Sequence, residues 1–264
     1  MKPIHALDPA AVSGVRYVLF DIDGTITTGG KVTAGAYDAI WRLHGAGYRP
    51  IPVTGRPAGW CDLIVRQWPV AAVVGENGAF VFYYSEGRLS TYAHPNAAPE
   101  GSRQRLDAVL RAAAQRVPGC RAAKDQPYRR CDLAIDFNED PPHLGFEAAE
   151  RIRAVCASMG AEAKISSIHV NAWFGKYDKL STTLSFLRET GEAHPKETVF
   201  FLGDSPNDEP MFEYFPISCG VANIRRFASS MKHLPAYVAP REGAEGFADA
   251  VAHFLSVRDH APNA

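Results

Sequence analysis

Phe20-Asp21-Ile22-Asp23-Gly24-Thr25 closes the apolar run Tyr17-Val18-Leu19-Phe20, and the fold class follows from that junction. The run reads as a buried strand. Two carboxylates two residues apart, then a Gly-Thr turn, stand where the strand should end. Open α/β sheets bind their ligands at the carboxyl ends of their strands. Two acids placed there repel each other unless a cation or a proton neutralises one. A bound Mg²⁺ and an aspartate that attacks phosphorus explain the pair economically.

Around this junction the chain alternates strand and helix. Thr33 to Ala46 reads as a helix capped by Thr33, with Ala36, Ile40 and Leu43 on one face. Tyr48–Val53 reads as a strand, Pro57–Gln67 as a helix and Ala71–Val74 as a strand. The alternation resumes after Lys179: helix 180–189, strand 198–202, helix 210–214, strand 217–221, a short strand 237–239 and a closing helix 246–255. This pattern predicts a parallel sheet with right-handed crossovers.

The middle differs. Ala79–Tyr84 and Arg88–Tyr92 flank Ser85-Glu86-Gly87, a hairpin signal. Helices at 101–116 and 146–159 and strands at 131–137 and 163–173 follow, an α+β unit. The expected organisation is a split core, residues 1–83 and 177–264, around an inserted α+β domain, residues 84–176.

Three further segments sit after the right elements. Val53-Thr54-Gly55-Arg56 follows the second strand, Lys179 opens a helix, and Gly203-Asp204-Ser205-Pro206-Asn207-Asp208 follows Thr198–Leu202. With the Asp21 stretch they resemble, in order, the four motifs of the haloacid dehalogenase (HAD) superfamily of phosphohydrolases. The insert is similar to that superfamily's large type-2 cap, in the subfamily of sucrose-phosphatase, mannosyl-3-phosphoglycerate phosphatase and phosphomannomutase. Gly75-Glu76-Asn77-Gly78-Ala79 resembles this group too. The lysine segment departs from the usual pattern, reading Lys179-Leu180-Ser181-Thr182-Thr183 with Lys176 nearby. The resemblance covers the core motifs and the layout, not the cap residue by residue.

The resemblance implies a Rossmann-like core with an α+β cap and a Mg²⁺-dependent phosphatase acting on a small phosphomonoester, sugar-like in character. Asp21 would attack phosphorus and form an aspartyl phosphate. Asp23 would protonate the leaving oxygen and then activate water. Asp21, Asp204 and the main-chain carbonyl of Asp23 would hold Mg²⁺, with Asp208 anchoring that shell. Thr54 and Lys179 would bind phosphoryl oxygens, and Asn207 would bind phosphate or orient a carboxylate. In the cap, Arg129, Arg130, Ser167, His169 and Asn171 are candidates for reading the leaving group, because alternation places 167, 169 and 171 on one face. A solvated sheet face explains that alternation equally well. Glu76 and Asn77 are expected at the core–cap junction, with Asn77 a candidate substrate contact. A phosphomutase on the same scaffold and a non-catalytic sugar-phosphate binder are the alternatives.

Rival readings of the motifs fit less well. A calcium loop starting at Asp21 would need an oxygen ligand and a glutamate where Thr25 and Val32 stand, and its glycine comes too early. A phosphate loop ending at Gly30-Lys31 lacks the following hydroxyl. The 264 residues are 46% hydrophobic and 22% charged, enough for ordinary cores and against disorder. A formal net charge of −1 without a long basic tract gives nucleic acid and membranes no electrostatic hold. Five scattered cysteines without a Cys-x-x-Cys pair fit reduced, mostly buried thiols and a cytoplasmic setting. Residues 1–14 lack a signal-peptide core, and both ends are expected to fray. The four tryptophans, 41, 60, 68 and 173, are expected in the core or at interfaces.

Overall fold

The computed structural model describes residues 1–166 and 168–258; Ser167, a candidate cap residue, lies outside them. Tyr17–Phe20 forms the expected buried strand, with a parallel neighbour on each side. The strand order is Lys2–Pro3, Tyr237–Val238, Ser218–Gly220, Val199–Gly203, Tyr17–Phe20, Arg49–Pro52. Every neighbouring pair is parallel. Strands covered on both faces read as unbroken apolar runs, as 17–20 and 199–202 do. Helices Ala34–Gly45 and Gly243–Arg258 cover one face through Ile40, Leu43, Phe247 and Phe254. Helices Lys179–Glu189 and Glu209–Tyr214 cover the other through Phe186, Leu187, Met211 and Phe212. Each such buried side chain contributes about 1.5–3 kcal/mol.

Three expectations need adjustment. The hairpin Phe80–Ser85/Arg88–Ala93 pairs antiparallel with Ala72–Gly75, which continues the core sheet through a parallel bridge between Val53 and Val74. Phe80, Phe82 and Val81 sit in the core clusters, so this hairpin extends the core sheet. Residues 163–173 are two antiparallel strands, Glu162–Ile165 and His169–Trp173, because Ser166 closes a turn by donating its main-chain N–H to the His169 carbonyl. The N-terminus is tied down, with Lys2–Pro3 paired to Tyr237–Val238.

The insert has its own sheet, ordered Glu162–Ile165, His169–Trp173, Leu133–Asp136, Arg121–Ala122. Leu133, Ile135, Val170 and Ala172 face helices Ser102–Arg116 and Gly145–Ser158 and form a separate core. The period-two alternation puts His169 and Asn171 on the opposite face, buried at 3% and 4% exposure, so the solvated-face reading is excluded. All five cysteines are unbridged, and all but Cys131 are buried. Trp173 is buried, but Trp41 and Trp60 are largely exposed. Among the described residues no helix is long and apolar enough to cross a membrane.

Candidate active site

The site forms at the carboxyl ends of the core strands, where the chain leaves the sheet in short turns. Asp21 follows the strand 17–20, Thr54 and Arg56 follow 49–52, Glu76 and Asn77 follow 72–75, Asp204–Asp208 follow 199–203, and Asn223 follows 218–220. Gly24 turns at φ +80° directly against Asp204, and a Cβ there would run into that carboxylate. Its glycine thus makes room for the second acid as well as the turn.

Asp21, Asp204 and Asp208 converge, with ligand oxygens all within 4.8 Å of one another, and all three are buried. Lys179, the first residue of its helix, donates to Asp21 Oδ1 and to Asp208 Oδ1, each at 2.8 Å. Lys176 is exposed and paired with Glu162, so Lys179 is the lysine of the site. Asp208 Oδ2 also accepts the Asp204 main-chain N–H at 3.1 Å. Asn223, which sequence reasoning did not single out, donates to Asp204 Oδ2 at 2.9 Å and to the Gly24 carbonyl at 3.1 Å. Its only signal was its place just past a strand end.

Three buried carboxylates face one ammonium. Burial pushes the Asp21 carboxyl up to about 7, with Lys179 opposing and Asp208 and Asp23 adding to the rise. Burial, Asp21 and Asp208 also push Asp204 well above the carboxylate range. Burial alone would lower Lys179, but Asp208 and Asp21 outweigh it and hold the ammonium charged. A compact set of carboxylate oxygens with surplus negative charge is the donor chemistry of a hard divalent cation. The residues present therefore fit Mg²⁺.

Asp23 lies outside this cluster. Arg56 grips its carboxylate with two hydrogen bonds, Nε to Oδ2 at 2.7 Å and Nη2 to Oδ1 at 2.6 Å. The guanidinium lies over the Trp60 ring, 4.2 Å from its centroid, and its Nη1 is 3.6 Å from both Asp125 and Glu139 of the insert. Thr54 is fully buried; its oxygen accepts the Arg56 main-chain N–H at 3.0 Å, which leaves its O–H free to donate. A narrow cavity of about 20 Å³ lies between core and insert, lined by Asp21, Asp23, Asn77, His169, Asn171 and Asn207 among others. Thr54 and Lys179 are not on its wall. Asn207 accepts from the Ser205 hydroxyl at 2.7 Å through Oδ1, leaving its amide N–H groups for the cavity.

The insert is docked through a buried polar joint. Glu76, in a left-handed conformation at φ 44°, accepts main-chain N–H groups of Ala58, Arg130, Cys131 and Asp132. Arg129 donates to Asp125, to Asp132 and to the Gly55 carbonyl, with its side chain wholly buried. Asn77 and Asn171 donate their amides to Asp132 Oδ2 at 3.3 and 3.1 Å. His169 Nε2 lies 2.8 Å from Glu139. Arg130, an expected cap contact, sits over the Phe82 ring.

Residues 18–99 match the model of the haloacid dehalogenase-like hydrolases. The chain has a haloacid dehalogenase-like fold. Solved structures share this fold across nearly the whole length. A Thermoplasma acidophilum protein is 20% identical, with a TM-score of 0.70 over 91% of this chain and 98% of its own. A haloacid dehalogenase superfamily phosphatase from Bacteroides thetaiotaomicron is 20% identical, with a TM-score of 0.63 over 96% and 99%. The sucrose-phosphatase of Synechocystis, solved with sucrose and phosphate, is 14% identical, with a TM-score of 0.61 over 92% and 99%. No curated protein sequence matches the chain. In this haloacid dehalogenase-like fold, the four motif positions named from the sequence meet at one end of one sheet.

Proposed function

We propose that the protein is a Mg²⁺-dependent phosphatase of a small phosphomonoester, sugar phosphates foremost, working through an aspartyl phosphate on Asp21. The observation that carries this reading is the convergence of Asp21 with Asp204, Asp208 and Lys179, while Asp23 stands apart on the same cavity wall. A binding protein has no use for a second, separately held carboxylate beside the first. Structural neighbours described as a sucrose-phosphatase and a subclass IIB sugar phosphatase favour hydrolysis over mutase action.

An Asp21 oxygen attacks phosphorus as the bond to the leaving oxygen breaks, and that oxygen takes a proton from Asp23. Asp23 then accepts a proton from water as the water attacks the acyl phosphate and frees Asp21. Arg56 holds Asp23 by both oxygens and so fixes the carboxylate's plane. Lys179 offsets the charge of the acids and of the phosphoryl oxygens, Thr54 offers its free O–H, and Asn207 its amide. Held by Asp21, Asp204, Asp208 and the Asp23 carbonyl, Mg²⁺ would neutralise the phosphoryl group and the carboxylate surplus. The test is phosphate release from a panel of phosphomonoesters with Mg²⁺ and with EDTA. Release that survives EDTA, or that is absent across the panel, overturns the reading.

A further inference from the structure

The cavity beside the catalytic acids is too small for the part of a substrate that leaves. Its volume of about 20 Å³ has room for about one water. Next to it, between insert and core, lies a cleft of about 440 Å³, a size that suits a small ligand. Cleft and cavity share Ser166, Ser205 and Asn207 on their walls. A second cleft, of about 340 Å³, meets the cavity through Asp23 alone, and its side chains are chiefly apolar, Val32, Trp60, Leu63 and Trp68 among them. The larger cleft is therefore the polar room beside a phosphoryl group seated at Asp21.

Lys164 stands over the passage between them. It lies on the strand Glu162–Ile165, directly across from Asn171, and cross-strand partners share a face. Its neighbours Ala163 and Ile165 pack on the insert's own core, which turns Lys164 towards the catalytic end of the core sheet. It lines the 440 Å³ cleft and also a smaller cavity that it shares with Asn77, Lys179 and Asn207. Lys164 is exposed, and among the described residues its ammonium has no hydrogen-bond or ion-pair partner. The other charges of the cleft are engaged. Arg153 is bonded to Glu150, and Glu209 accepts the main-chain N–H groups of Lys232 and His233.

We infer that Lys164 is a specificity-determining residue whose ammonium binds an oxyanion carried by the leaving group, a carboxylate or a second phosphate. The inference rests on the phosphatase reading and deepens it: within the sugar phosphates and their relatives it singles out phosphorylated acids and bisphosphates. A free ammonium offers three donors and a full positive charge. To an oxyanion it gives a charge-assisted hydrogen bond, roughly twice as strong as a neutral pair. A neutral hydroxyl gains less from it. Walls of protein on two sides also screen the pair less than open solvent does.

The test compares kcat/KM on three matched pairs: 6-phosphogluconate against glucose 6-phosphate, 3-phosphoglycerate against glycerol 3-phosphate, and fructose 1,6-bisphosphate against fructose 6-phosphate. The first two pairs offer Lys164 a carboxylate and the third a second phosphate. In at least one pair the anionic member should lead by on the order of tenfold or more. Lys164→Met keeps most of the stem and removes the charge, so that lead should shrink to within about twofold, chiefly through KM. Lys164→Arg should keep most of it. Parity or a neutral lead in all three pairs overturns the inference. A lead that survives Lys164→Met, in a variant that melts like the wild type, assigns the oxyanion to another group and overturns it as well. Failure of the phosphatase reading looks different: no phosphate is released from any of the six esters.

Discussion

Two buried acidic clusters border the same cavity, one through Asp21 and the other through Arg129, and are built on opposite terms. Around Asp21, Asp204 and Asp208 a single ammonium faces three carboxylates, and two of those acids have their pKa raised. Around Arg129 and Asp132 the hydrogen bonding is complete: all three guanidinium nitrogens donate to Asp125, Asp132 or the Gly55 carbonyl, and Asp132 also accepts two amides. The first cluster is left electrostatically incomplete inside the protein, and the second is closed. An incomplete cluster has a place for a cation and a phosphoryl group. A closed one has a place for nothing and holds two parts of the molecule together.

The contrast breaks most directly at Asp21. Asp21→Asn should lower turnover by at least about a thousandfold, as when an activated nucleophile is lost. Its melting temperature in EDTA should not fall, because the substitution removes one of the crowded carboxylates. Near wild-type turnover would end the nucleophile assignment, and a collapsed melting curve would mean that the open cluster is structural. Asp132→Ala should do the reverse. It strands part of the charge of Arg129 and two amides, and denaturant unfolding should show a loss of about 3 kcal/mol.

A third measurement uses pH. Asp21 and Asp204 have folded pKa values above their ordinary ones, so the metal-free folded state binds more protons than the unfolded chain. Its stability should therefore fall as pH rises from about 4 through about 7, the value for Asp21. Mg²⁺ bound by these acids, as proposed, would displace those protons, so its stabilising effect should grow between pH 5 and pH 8. At a hundred times its dissociation constant it should reach about 2.7 kcal/mol by thermal shift. A shift that is flat with pH, or lost in Asp132→Ala but not in Asp204→Ala, would reverse the contrast. The smallest effect belongs to the insert. His169→Ala should raise KM for the best sugar phosphate by about tenfold, the loss of roughly one polar contact, and change p-nitrophenyl phosphate hydrolysis far less. Equal losses on both esters would move His169 into catalysis or folding.

What the sequence disclosed was local. Asp21 and Asp23 could be placed because a four-residue apolar strand ends immediately before them, and Lys179 because it opens a helix. The carboxylate cluster followed from strand ends that an α/β sheet must bring together. The pairing of Arg56 with Asp23, of Asn223 with Asp204 and of Glu76 with the 130–132 main chain joins segments 33, 19 and more than 50 residues apart, and no spacing rule reports such contacts. The turn at Ser166 was hidden because no glycine or proline marks it and the alternation runs straight through. The hairpin at 80–93 was legible as a hairpin, but which sheet it joins depended on the bridge between Val53 and Val74.

Glu76 grips the insert by peptide groups, not by side chains, and this has a consequence for how the enzyme can change. Every residue but proline carries the same main-chain N–H, so the anchor is indifferent to which other amino acids stand at 130 and 131. Mutational drift along that segment leaves the fastening in place. The insert can acquire new preferences for a leaving group while the joint that fastens it to the core stays the same.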